Sequence, residues 1–159
     1  MSTMRSLVGL TCVLLLGGCS SSGTTSAEDA TRSAYIVKAE AVCARANTAL
    51  TAVHAPKTNT EIPAYVHQVA TLAAGTIREL DLLTPPAKDA AQLHARFLDP
   101  LLKQSDAGIR FDLEVKAAGS DQRTLLALLA KAPTKTVADL AYLRSYGFHQ
   151  CVKAADTGH

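Results

Sequence analysis

Past residue 31, apolar residues recur at steps of three and four along most of this chain, a helical spacing. From Thr31 to Val53 the stripe is Ile36, Ala39, Cys43, Ala46, Leu50 and Val53, with Lys38, Glu40, Arg45 and Asn47 turned elsewhere. Pro56 ends this first helix. Thr58-Asn59-Thr60-Glu61 has capping-box spacing and predicts a second helix starting at Thr58. Its stripe is Ile62, Val66, Val69, Ala73, Ile77 and Leu80, and it ends near Leu83 because Pro85 and Pro86 follow. Thr84 then reads as an N-cap with Pro85 at the first helical position, a rigid corner between antiparallel helices.

The third stripe, Ala90, Leu93, Phe97 and Leu101, continues through Ile109, Phe111 and Leu113, and Pro100 predicts a kink or break near Asp99. Asp106 and Arg110, and Asp112 and Lys116, have the spacing of weak surface ion pairs. Gly119-Ser120 reads as a stop followed by a cap. A fourth helix runs through Leu125, Leu126, Leu128 and Leu129 to Lys131 and is closed by Pro133. The last carries Val137, Leu140, Ala141 and Leu143 and stops at Gly147, with Phe148 placed to touch Leu143 across a Schellman turn. The expected fold is an all-α antiparallel bundle of four or five helices. Abundant alanine and leucine, few aromatics and no tryptophan agree with helices over strands.

The first residues follow a different pattern. Met1–Arg5 is a short basic start, Leu7–Leu16 is apolar, and small residues lead into Cys19, the layout of a secretory signal. The apolar run is too short to cross a hydrocarbon core of ~30 Å as a helix. Leu16-Gly17-Gly18-Cys19 resembles the lipobox of bacterial lipoproteins, in which signal peptidase II cuts before a cysteine already carrying a diacylglycerol. That resemblance implies that residues 1–18 are removed. It also implies that Cys19 is acylated and that the protein is held by lipid at the extracytoplasmic face of a cell membrane. Acyl chains contribute ~0.8 kcal/mol per buried CH₂, so two or more anchor stably. Residues 19–27 read as a flexible tether, whose seven polar residues after Cys19 reach about 15 Å. Residues 28–159 are left for one helical domain with a single core.

Loss of Arg5 with the leader leaves 15 of the 16 basic residues against 14 acidic ones. The charges are also scattered singly, which argues against nucleic acid as a partner. Once Cys12 leaves and Cys19 is acylated, Cys43 and Cys151 remain, and outside the cytoplasm two such cysteines favour a disulfide. It would close a loop of 108 residues, for which chain entropy suggests up to about 4.7 kcal/mol. A reactive Cys43 thiol with His149 as its base would need Cys151 unpaired. Three segments, Cys43-Ala44-Arg45-Ala46-Asn47, Leu80-Asp81-Leu82-Leu83-Thr84-Pro85-Pro86 and Tyr146-Gly147-Phe148-His149-Gln150-Cys151, are similar to those of a loose group of small helical actinobacterial lipoproteins and secreted proteins. These motifs are structural, and the resemblance implies no activity.

Candidate chemistry is sparse. His54, His67, His94 and His149 show no H-x-x-x-H or E-x-x-H spacing, and His67 and His94 are the first candidates for a metal held between neighbouring helices. Glu79 with Asp81, and Asp112 with Glu114, are two apart and so on different sides of a helix. No nucleophile elbow or phosphate loop occurs, so neither an enzyme nor a cofactor is implied. The leading expectation is a non-catalytic, lipid-anchored envelope domain that binds a protein or another envelope component. The alternative is a carrier of an apolar small molecule within the bundle. Small residues on the stripes argue mildly against a carrier, because they draw helices together. A cavity of several hundred Å³ would favour it, and a large exposed apolar patch would favour the partner.

Overall fold

The computed structural model describes residues 26–133 and 138–156, and these form an all-α antiparallel bundle joined by one disulfide. Helix α1 (Ala27–Thr51) starts inside the span read as tether. Ser26 is its N-cap, accepting from the Asp29 N–H at 3.2 Å while the Asp29 carboxylate accepts from the Ser26 N–H. Helix α2 (Ile62–Asp81) follows a single 3₁₀ turn, Asn59–Glu61. The capping box expected at Thr58 does not form. The Glu61 carboxylate reaches back to the Lys57 N–H (2.7 Å) and to Thr58, but the Thr58 hydroxyl caps no backbone N–H and lies 3.0 Å from the Thr60 hydroxyl. That Lys57 N–H holds the Glu61 carboxyl below its usual range.

The corner after α2 also differs from expectation. Helix α3 (Ala90–Leu93) begins five residues beyond Pro85, because the Pro86 carbonyl closes a turn onto the Asp89 and Ala90 N–H groups. Thr84 is not its cap. From α3 the chain passes through a π-helical turn, His94–Leu98, into α4 (Asp99–Ala118) without breaking at Asp99. Pro100 has no N–H to give to the Arg96 carbonyl four residues back. That carbonyl accepts instead from the Asp139 N–H at 3.0 Å, so the missing donor ties a later segment to the helix.

Helix α5 (Gln122–Leu129) is capped by Asp121, not Ser120. Thr124 Oγ1–H and the Arg123 N–H both donate to the Asp121 carboxylate, which lowers its pKa. Helix α6 (Leu140–Tyr146) is capped by Asp139 and ends as expected at Gly147. There φ is 108°, and the Phe148 N–H donates to the Leu143 carbonyl at 2.9 Å. Val137 lies outside the described residues. The short helix α7 (Gln150–Asp156) takes the number of separate helical runs among the described residues to six, since α3, the π turn and α4 are continuous.

Helix α7 has no cap of its own. The Glu40 carboxylate of α1 accepts from the backbone N–H groups of His149, Gln150 and Cys151 at 2.8–3.1 Å, a cap supplied from another helix. Asn47, about two turns further along α1, donates its Nδ2–H to the Gln150 carbonyl. Between these clamps lies the Cys43–Cys151 disulfide, with Cα atoms 4.9 Å apart. A reactive Cys43 thiol is therefore ruled out in this fold. Around the staple, Phe148 is fully buried against Tyr35, Phe97 and Tyr146, with ring centroids 5.2–6.2 Å apart.

Candidate functional site

Only Ile77 and Leu80 of the α2 stripe are fully buried. Ile62, Val66, Val69 and Ala73 are half-buried, and the last three face a partly open cavity of about 410 Å³. Helix α4 supplies the facing wall with Leu101, Gln104, Ser105, Gly108 and Phe111, steps of three and four that share one side of a helix. Helix α1 contributes Cys43, Ala46 and Leu50, and α7 contributes Cys151, Ala154 and Ala155. Leu129 at the end of α5, with Ala132 and Pro133 after it, completes the enclosure. The disulfide is thus part of the cavity wall.

The void has a steric origin. Where the cavity lies, the facing side chains are small: Ala46, Ala70, Ala73, Gly108, Ala154 and Ala155. Bulkier residues stand at its two ends, Leu80 and Phe97 at one and Tyr65 and Phe111 at the other. A Cβ placed on Gly108 would meet nothing within 4 Å. The expectation that small residues draw helices together holds between α1 and α7, where Ala39 is wholly buried beside the bridge. It holds between α2 and α4 as well, which pack closely along their length, and the void lies where this pair faces α1, α7 and the end of α5.

One end of the cavity is closed by Cys43, Leu80, Phe97 and Cys151, each 2% exposed. Toward Tyr65, Val66, Leu129 and Pro133 the walls are half-exposed and form a rim. Among the described residues no charged side chain lines the space. Its polar groups are few, and the Thr76 hydroxyl already donates to the Leu72 carbonyl at 2.8 Å. Such a wall offers water few partners and penalises a buried charge, while an apolar molecule gains by leaving water.

The residues singled out from the sequence fall in different places. Cys43 and Cys151 meet, whereas Cys19 lies outside the described residues. His67 Nδ1 sits 2.9 Å from Asp112 Oδ2 on the α2–α4 surface, so Asp112 turns to α2 and not along its own helix to Lys116. His94 Nδ1 sits 3.2 Å from Asp99 Oδ1 on its own helical run. Each histidine has its own carboxylate, and among the described residues no three His, Cys, Asp or Glu side chains are grouped to hold a metal. Glu79 pairs with Arg45 across to α1.

A polar cluster that the sequence did not suggest lies off the cavity wall. The Arg32 guanidinium stacks 4.1 Å over Tyr146, whose hydroxyl donates to Asp89 at 2.7 Å, and Arg96 lies over Tyr142. Burial first, then the hydrogen bond and charge of Asp89, raise the Tyr146 phenol, and burial pushes Tyr35 up to about 12. These contacts fasten α6 to α1 and to the start of α3. The cavity itself was missed because no motif encodes a void. Its trace in the sequence is small residues such as Ala70, Ala73 and Gly108 on the helix faces that line it. No helix among the described residues is long and apolar enough to cross a membrane. Comparison of the chain with protein-family models, curated proteins and solved structures found no match.

Proposed function

We propose that this chain is a lipid-anchored envelope protein whose helical body carries one apolar small molecule without altering it chemically. The observation that carries the reading is the uncharged cavity of about 410 Å³, within the range of small-molecule sites, about 300–1,000 Å³. The anchor rests on Leu16-Gly17-Gly18-Cys19, and the Cys43–Cys151 disulfide is consistent with an oxidising compartment. The cavity moves the balance away from the partner-binding expectation toward a carrier. A partner retains one specific support, the exposed apolar side chains Ile109 and Leu113 on α4 and Leu126 on α5.

Solvent extraction of the full chain isolated from its own membrane tests the carrier. A stoichiometric apolar molecule is expected, and it is lost when Ala70→Phe fills the cavity. A chain with no such molecule, or one that keeps it in Ala70→Phe, defeats the reading. Mass spectrometry of the N-terminal peptide tests the anchor separately, with a diacylglycerol adduct expected on Cys19.

A further inference from the structure

We propose that the cavity takes a single unbranched acyl chain, methyl end inward, and that Gly108 is the residue that leaves the passage open. The inference rests on the carrier reading and specifies its ligand class. Helix α2 lines the cavity from Tyr65 to Leu80, about 22 Å at a rise of 1.5 Å per residue. The space is thus drawn out along one helix, a shape that an extended polymethylene chain follows from end to end and a compact ring system of equal volume does not. The polarity runs the same way. The closed end is carbon and disulfide sulfur, with Leu80 and Phe97 beside the Cys43–Cys151 bridge, so it suits a methyl terminus. With no charge along the wall, a carboxylate or phosphate headgroup must stay at the rim beside Tyr65 and Pro133.

Gly108 stands on the α4 face between Phe97 at the closed end and Phe111 near the rim. The His67–Asp112 contact sets the antiparallel register that brings this part of α4 opposite Ala70. A side chain at 108 therefore projects into the passage, where nothing now lies within 4 Å of its Cβ position. Gly75 offers a matched control. It is also helical, with nothing within 4 Å of a Cβ, but it is exposed and does not line the cavity.

The test is photolabelling of the full chain in membranes with diazirine-bearing palmitate, diazirine-bearing phosphatidylethanolamine and a diazirine-bearing sterol. Labelled peptides are mapped by mass spectrometry. Label from a chain-bearing probe is expected on the α2 and α4 lining, displaced by excess myristate, absent with the sterol, lost in Gly108→Leu and kept in Gly75→Leu. The palmitate and phospholipid arms tell whether the chain comes from a free acid or a membrane lipid. Lining label by the sterol, alone or equally with palmitate, overturns the acyl-chain assignment while leaving a carrier standing. Absence of lining label by all three probes overturns both. Retention of chain label in Gly108→Leu removes the role given to Gly108.

Discussion

Ala39 and Ala73 sit on equivalent stripes of two adjacent helices, yet their surroundings are opposite. Ala39 is wholly buried at the α1–α7 contact, where its carbonyl faces Cys151 Sγ at 3.5 Å, whereas Ala73 is half-buried and faces a void. The difference lies in what holds the opposing helix. Helix α7 is pulled onto α1 by the disulfide and by the Glu40 cap across its first N–H groups. Helices α2 and α4 pack closely on each other, but the face that carries Ala73 meets a space bounded by Leu80 and Phe97 at one end and by Tyr65 and Phe111 at the other. A small side chain permits close approach, but another interaction must supply it. The stapled half of the molecule is thus built for stability, and the half around α2 and α4 leaves room for an occupant.

Removing the bridge is the largest expected perturbation of that contrast. Cys43→Ser with Cys151→Ser lowers stability by as much as about 4.7 kcal/mol, the chain-entropy figure for a loop near 100 residues. Thermal unfolding with and without reductant checks it, and a wild-type midpoint that ignores reductant would contradict it. Truncations come next. Phe148→Ala removes a fully buried ring and costs about 3–5 kcal/mol. Val69→Ala, on a wall that already faces space, costs well under about 2 kcal/mol, because no new packed contact is emptied. Equal losses in urea unfolding would erase the distinction between the halves.

Alkaline pH acts on the stapled half alone. In the unfolded chain the tyrosine phenols ionise near their ordinary pKa of about 10. In the fold, burial holds Tyr35 to about 12 and raises Tyr146 and Tyr142 as well. The unfolded chain releases these protons first, so the stabilisation is whole below pH 10 and declines as pH climbs from about 10 toward 12. Tyrosinate absorbance followed alongside circular dichroism is expected to show these phenols ionising only as helicity is lost. Free titration near pH 10 with the helices intact would contradict the burial argument.

The smallest contrast is between two glycines. Gly108→Ala stabilises by up to about 1 kcal/mol, since a mid-helix glycine gains helix propensity and the new methyl meets open space. Gly147→Ala destabilises by about 1 kcal/mol or more, because φ there is 108°, a conformation that strains any residue with a Cβ. Opposite signs in parallel melts are the expected result.

Much of the fold was legible in the residues. The stripes of α1 and α2, the Gly147 turn with Phe148 beyond it, and the Cys43–Cys151 pairing follow from spacing, glycine conformation and cysteine count. Tyr35 and Val42 joined the buried face of α1 although the stripe did not include them. Helix α7 was not legible. Seven residues with no local cap cannot hold a helix alone, and the group that caps them, Glu40, lies over a hundred positions away. The predicted corner at Thr84 and cap at Ser120 were displaced because neighbouring groups, the Pro86 carbonyl and the Asp121 carboxylate, make the closing hydrogen bonds.

By itself the chain determined the helical class, the stop at Gly147 and which cysteines could pair, because each is set by local geometry or by counting. Tertiary structure alone decided where alanine means contact and where it means space. The same is true of the cap on α7 and of the carbonyl that Pro100 leaves for Asp139. Those outcomes depend on distances between helices, and such distances are fixed by bulky residues and crosslinks remote in sequence from the positions they affect.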